Sequence, residues 1–268
     1  ECSQLITRRY STSFSLGIRM FEKRLRAPIC AVYGFVRFAD EIVDTFHDRD
    51  KKKLLDRFRA DTYQAIEEGI SLNPVLHAFQ EVVNKYGIER ELIDAFLFSM
   101  EMDLQFDRYE DSLYKTYIYG SAEVVGLMCL RIFCVDKPEM YDKLRDDARA
   151  LGSAFQKVNF LRDMKSDYAE RGRVYFPNVN FLAFDDEIKR QIEADIAQDF
   201  AAAYRGILGL PSGCRFGVYV AYKYYLNLFN KIRNAPAKLV TEERIRVGDG
   251  KKLYILLKSF VRASFNVL

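Results

Sequence analysis

Gln156-Lys157-Val158-Asn159-Phe160-Leu161-Arg162-Asp163-Met164-Lys165-Ser166-Asp167 reads as a helix carrying a polar stripe. At 100° per residue, Gln156, Asn159, Asp163 and Asp167 fall within an arc of ~80°. Two amides and two carboxylates therefore line one side of an otherwise apolar helix. Buried polar groups need partners, so four in a row imply a polar ligand, a metal, or an interhelical hydrogen-bond ladder. Arg162 leans off the stripe, placed to pair with an acid or with a phosphate-bearing ligand.

Outward from this helix the whole chain keeps the same period. No β-alternating run of convincing length occurs. Breaks are short and local: Ala27-Pro28, Asn73-Pro74, Tyr86-Gly87, Lys137-Pro138, Arg171-Gly172, Pro177-Asn178, Leu210-Pro211-Ser212-Gly213 and Gly248-Asp249-Gly250. Pro28 suits the first turn of a helix running to about Asp44. Further helices are expected at about 50–68, 74–86, 89–108, 112–134, 138–169, 185–208, 214–234 and 251–262. The main long loop, at about 174–184, carries Tyr175 and Pro177. No linker or internal repeat interrupts the pattern. The expectation is one all-α domain over 1–268, a helical bundle around a central apolar cavity.

A second acidic motif lies in Arg37-Phe38-Ala39-Asp40-Glu41-Ile42-Val43-Asp44, near the end of what reads as the second helix. Asp40 and Asp44 stand one turn apart on the same face. Like charges at that spacing destabilise a helix by ~0.2–0.5 kcal/mol, which a shared hard cation would offset. Magnesium binds through one or two carboxylates plus substrate phosphates. Taken alone, the pair reads as a solvated helix end. Val36, Tyr33 and Cys30 beneath it form an apolar wall, however. Two acidic pairs above apolar walls suggest a hydrocarbon cavity closed by a metal-diphosphate lid, with water kept from a carbocation.

Composition removes several other classes. Of 268 residues, 41 are basic and 38 acidic, for a net charge of +3, which gives no reason to expect a nucleic-acid partner. Hydrophobic residues at 49% indicate a folded globular chain. No apolar run approaches the ~20 residues of a membrane span; the stretches at 124–134 and 253–260 are too short or carry charges. Cys2, Cys30, Cys129, Cys134 and Cys214 are odd in number and form no C-x-x-C pair, so they read as small core residues of a reduced, cytoplasmic protein. His47 and His77 are isolated, which argues against zinc. No G-x-S-x-G elbow supports a serine hydrolase. No secretory signal is read at the start of the chain.

These motifs resemble the squalene/phytoene synthases, over nearly the whole chain. Tyr10-Ser11-Thr12-Ser13-Phe14 resembles the family's S-x-S-F segment. Arg37, Asp40 and Asp44 match R-x-x-D-x-x-x-D. Gln156, Asn159, Arg162, Asp163 and Asp167 match Q-x-x-N-x-x-R-D-x-x-x-D, the most specific of the signals. Arg173-Val174-Tyr175-Phe176-Pro177 resembles the R-V-Y-x-P loop. Tyr119 matches a tyrosine before a G-x-x-G-like segment, Tyr225 one on a late helix, and Arg244 a late basic residue. The resemblance implies the isoprenoid synthase fold and head-to-head condensation of two prenyl diphosphates through a cyclopropyl diphosphate. It implies magnesium, with manganese as a substitute, on Asp40, Asp44, Asn159, Asp163 and Asp167. Ser11, Ser13, Phe14, Arg37, Gln156, Asn159, Arg162, Tyr175 and Arg244 would bind substrate, and Tyr119 and Tyr225 would join the four aspartates in catalysis. One departure stands out: Ala122-Glu123 replaces the family's Ala-Gly.

The reductive squalene synthases carry a membrane helix and need a nicotinamide, neither of which is readable here, so no NADPH is expected. Among the non-reductive branch, a phytoene synthase of isoprenoid (carotenoid) biosynthesis is expected. Cys30, roughly ten residues or ~15 Å below Asp40, is too small to block a long tail. Geranylgeranyl diphosphate is therefore the expected substrate. A dehydrosqualene or squalene synthase using farnesyl diphosphate, and a non-catalytic assembly protein of the same fold, are the alternatives. A lipid substrate leaves peripheral membrane contact open. Asp103 and Asp107 form a third pair, read as structural partners of Arg108 or other bases, or as supports near the site. The 17 tyrosines and 21 phenylalanines are mostly core, with ring quadrupoles available to a cation.

Overall fold

The computed structural model describes residues 1–10 and 12–248 together with Ile255 and Ser259. Among these residues the elements are helical. They are α1 (Cys2–Tyr10), α2 (Thr12–Arg19), α3 (Lys23–Asp44), α4 (Lys51–Glu68), α5 (Pro74–Tyr86), α6 (Arg90–Gln105) and α7 (Asp111–Ile118). A π-turn (Tyr119–Glu123) leads into α8 (Val124–Phe133), followed by α9 (Glu139–Arg171), a 3-10 turn (Phe181–Ala183), α10 (Asp186–Gly209), α11 (Ser212–Arg233) and α12 (Ala237–Glu242). A single isolated bridge pairs Arg108 with Val174. The helix expected at about 251–262 lies, Ile255 and Ser259 apart, outside the described residues.

Local chemistry sets many of the ends. Asp50 caps α4 by accepting from the Lys53 N–H at 2.9 Å. Asn73 caps α5, accepting from Val75 and Leu76, with Pro74 in the first turn. Asp185 caps α10 through Glu187 and Ile188. Each cap satisfies amides that a helix start leaves without partners.

Three sequence expectations change. Pro28 does not open its helix: α3 begins at Lys23, so the proline sits inside it. Buried Leu25 and the Arg26 Nε bond to the Phe21 carbonyl at 2.8 Å anchor the extra turn. The turn holds despite the hydrogen bond that proline removes. Second, α1, α2 and α12 are additional short helices, which makes the Asp40 helix the third. Third, the segment expected as one helix at 112–134 is broken by the π-turn, where the Val124 N–H reaches the Tyr119 carbonyl. A π-turn inserts one residue and rotates everything beyond it by about 100°.

The long α9 is central. α8, the π-turn, α10, α11 and α12 pack on it, while α3 packs on α1, α4, α5, α6 and α8. Gly152 lets α9 approach the π-turn, since a Cβ there would lie 2.5 Å from the Ala122 carbonyl oxygen. A separate aromatic block, with Phe35 stacked on Phe79 at 3.9 Å, fills the far side of α3. No described helix is long and apolar enough to cross a membrane. α3 and α9 thus stand on opposite sides of an interior space, with their acidic ends at the same mouth.

Candidate active site

The mouth is built from the last turns of α3 and α9. On α3, the Arg37 guanidinium pairs with Asp40 and Glu41 and lies 4.3 Å from the centre of the Tyr10 ring. On α9, Asp163 accepts from Arg162 Nε at 2.9 Å, and Arg244 Nε lies 2.7 Å from the same carboxylate. The second acid of each pair is held differently. Arg171 Nη2 lies 3.1 Å from Asp44, and its Nη1 lies 3.2 Å from Asp167. α9 stops at Gly172, whose φ of +66° is a conformation that side chains other than glycine's rarely adopt. The chain turns there so that Arg173 also faces the acids, 3.7 Å from Asp44 and 3.4 Å from Asp103. The Val174 N–H then donates to the Asp107 carbonyl at 3.0 Å, which fixes the loop to the end of α6.

Burial first, and then the neighbouring Asp44 carboxylate, push the Asp40 carboxyl up to about 7. Burial and then Asp163 push Asp167 up to about 7 as well. Both groups sit where negative charge is crowded at the mouth of the cavity.

Beneath the acids, the stripe on α9 faces the cavity. The Gln156 side-chain amide contacts Ser121 Oγ at 3.5 Å, and the Asn159 amide contacts Gln156 Oε1 at 3.5 Å. The Tyr225 hydroxyl donates to Asn159 Oδ1 at 3.3 Å, and its ring stacks on Phe155 at 3.9 Å. The two amide contacts are at the long limit for hydrogen bonds, so the ladder leaves capacity for a ligand.

Beside the stripe the wall is aromatic. Tyr175 stacks on Phe160 at 4.1 Å and packs against Tyr109 and Tyr117. The buried Asp103 carboxylate accepts from Tyr117 at 2.8 Å, Tyr109 at 3.2 Å and Tyr175 at 3.3 Å. Asp103 is thus a wall residue of the cavity, and it pairs with Arg173 instead of Arg108. Asp107 uses its backbone carbonyl. The Tyr175 hydroxyl, expected at a diphosphate, points to Asp103.

The cavity has a volume of about 820 Å³ and runs from the acids down α9 to Leu144. Phe14, Arg37, Gln156, Asn159, Arg162, Tyr175, Tyr225, Arg244 and the four aspartates all line it. Ser11 and the side chain of Ser13 lie outside the described residues. Tyr119 is not on the wall: Arg149 covers its ring at 5.4 Å, and Tyr117 lines the cavity in its place. Two positions apart, or ~200°, Tyr117 and Tyr119 point to opposite sides of their helix. Cys30 also turns away, toward Thr7 on α1, and Ile29 is the α3 wall residue at that depth. The floor beyond Ile29 is an edge-to-face pair, Phe21 and Phe133, at 5.2 Å. Glu123 is off the wall and accepts from Arg149 Nε at 2.6 Å.

Sequence reading missed Arg171, the pairing of Arg173 with Asp103, and Tyr117. Arg171 had a signal, since it stands four residues after Asp167 in ion-pair register. Its link to Asp44 had none.

Among the described residues, no three His, Cys, Asp or Glu side chains gather closely enough to hold a metal by themselves. Magnesium takes one or two carboxylates and completes its shell with water and substrate phosphates. Two crowded, hard-oxygen pairs facing each other across a mouth fit such ions, with Asn159 adjacent.

A model of the squalene/phytoene synthase family matches residues 7–251. Phytoene synthase 1 of Zea mays is 29% identical over 94% of this chain, which spans 65% of that protein's length. The 4,4'-diapophytoene synthase of Staphylococcus haemolyticus is 28% identical over 74% of this chain and 68% of its own. Among solved structures, a dehydrosqualene synthase in complex with ligand superposes with a TM-score of 0.83 at 21% identity, covering 98% of this chain and 95% of that one. The fold is the all-α isoprenoid synthase fold.

Proposed function

The chain belongs to the squalene/phytoene synthase family, and from that premise we propose that it is a phytoene synthase, joining two geranylgeranyl diphosphates head to head. The observation that carries this reading is the polar stripe of α9 heading one continuous apolar cavity. Asp40 and Asp44 with Asp163 and Asp167 hold magnesium, with Asn159 beside them. When bound, the metal neutralises diphosphate and makes it a better leaving group. Arg37, Arg162 and Arg244 hold the diphosphates in place.

The first substrate loses diphosphate, the double bond of the second attacks the allylic cation, and loss of a proton to the released diphosphate closes the cyclopropane ring. The resulting cyclopropyl diphosphate loses the remaining diphosphate, rearranges and gives up a proton. The Phe160–Tyr175–Tyr117 wall faces this charge with its rings. The apolar lining excludes water that would otherwise quench the cation. The released diphosphate is a sufficient acceptor for the last proton, so no side-chain base is assigned. No nicotinamide takes part.

Geranylgeranyl diphosphate is favoured by depth. Along α9 the cavity extends from Asp163 to Leu144, ~28 Å at 1.5 Å per residue. Ile29, in the place expected for Cys30, leaves the α3 side narrower. The Phe21–Phe133 floor supports a second reading, farnesyl diphosphate, on the shorter α3 side. The assembly-protein alternative is disfavoured by the intact acids, amides and arginines of one mouth. Incubation with each diphosphate and magnesium, with and without NADPH, tests the proposal. Phytoene in both conditions is expected. Squalene formed only with NADPH, or hydrocarbon only from farnesyl diphosphate, would refute it.

A further inference from the structure

The four acids of the mouth are not served alike. Asp40 and Asp163 each have an arginine on their own helix, Arg37 and Arg162. Asp44 and Asp167 share one guanidinium, that of Arg171, through two separate nitrogens. Among the described residues this is the one ion pair that joins α3 to α9. Arg173 also approaches Asp44, but it is buried and bound to Asp103 and to the Asp103 carbonyl. The side-chain partners of Arg171 are Asp44 and Asp167, with 27% of the side chain exposed. It is the last residue of α9, followed by Gly172, so its side chain can leave without disturbing a helix interior.

We infer that Arg171 is a built-in counter-cation that competes with the divalent metal for Asp44 and Asp167. The inference rests on the metal-binding role proposed above. A guanidinium and a hard divalent ion seek the same carboxylate oxygens. A positive charge within about 3–4 Å of the acids opposes entry of another. The arrangement keeps two partly buried acids compensated and the two helices joined. Metal entry then releases a guanidinium at the mouth, where its planar fork suits a diphosphate. Arg171 is on this view a positioning residue whose two partners are exchanged during loading.

The inference fixes a sign. If Arg171 only shaped the acids, removing it would weaken metal binding. If it competes, removing it tightens metal binding. Mn²⁺ alone, without substrate, is titrated into the full chain, and free Mn²⁺ is followed by electron paramagnetic resonance. Arg171→Ala and Arg171→Gln are expected to bind about five-fold more tightly or better, with Arg171→Lys close to the wild type. The Gln variant keeps much of the side chain's length and its hydrogen-bonding capacity, so it carries the test if the Ala variant does not fold. Unchanged or weaker binding in a folded neutral variant overturns the inference alone. A wild-type chain that takes up no Mn²⁺ removes the metal reading and the inference with it.

Discussion

α3 and α9 end in the same D-x-x-x-D spacing and meet at the same mouth, yet their acids stand on different ground. On α9, Asp163 and Asp167 continue a stripe of two amides that extends a further two turns into the cavity. On α3, Asp40 and Asp44 stand directly above Tyr33, Val36 and Ile29, with no amide beneath. On the proposed reading the spacing supplies a metal pair in both cases. Only α9 adds a polar path from the mouth toward the hydrocarbon chamber. Under the proposed function the comparison separates two tasks: holding charge at the mouth, which both helices share, and orienting the reacting ends, which falls to α9 and its Tyr225 contact.

The largest expected effect breaks the shared task. Asp40→Ala and Asp163→Ala should each lower magnesium-dependent diphosphate release by ~10²-fold or more, as loss of a key electrostatic stabiliser does. If one helix's variant kept near-normal release, the two pairs would not form one site. The next effect sharpens the difference. Asn159→Ala should cost ~10–100-fold in metal affinity or turnover, in the range found for partners of metal ligands. An equal truncation on the α3 wall, Val36→Ala, should change turnover far less. Comparable losses would erase the distinction between the helices.

Titration gives a smaller effect common to both. Asp40 and Asp167 are each pushed up to about 7 from 3.8, so the folded chain binds protons that the unfolded chain has already released. Without metal, stability contributed by these groups is therefore greatest below about pH 4 and declines as pH rises through about 7. Metal requires the ionised carboxylates, so magnesium affinity should climb between about pH 6 and 8 and then level off. Calorimetry in two buffers would reveal the proton release, and a flat profile would count against both shifts. The smallest effect lies off the wall. Glu123→Ala removes a partly exposed pair with Arg149, so melting should change by no more than the ~1 kcal/mol typical of such pairs. A changed product chain length would show that Glu123 shapes the cavity after all.

Much of the α9 half was legible from sequence. Period 3.6 places Gln156, Asn159, Asp163 and Asp167 on one face, and the structure keeps them on the cavity wall. The acids of α3 were legible by the same rule. The failures are errors of phase and of long-range contact. Ile29, eleven residues before Asp40, lies ~20° from its face, whereas Cys30, ten before, lies ~80° away, so the helical period itself favours Ile29 and the choice of Cys30 is an error of phase. Tyr119 rests on the resemblance alone, and Tyr117, ~200° around the helix from it, is the tyrosine that lines the cavity. Asp103 reads from sequence as a structural partner of Arg108 or other bases, or as a support near the site; its pairing with Arg173 and Tyr175 is not legible because they come from a loop some 70 residues away. Arg171 bridges helices whose proximity is a property of the fold alone.

The central claim is that this mouth and chamber serve two geranylgeranyl chains. Its most direct test is the ratio of kcat/KM for geranylgeranyl diphosphate to that for farnesyl diphosphate, measured with magnesium on the same preparation. A ratio of ~10 or more in favour of geranylgeranyl diphosphate, with phytoene as the hydrocarbon, is expected. A preference for farnesyl diphosphate would contradict it and make the Phe21–Phe133 floor the limit on chain length.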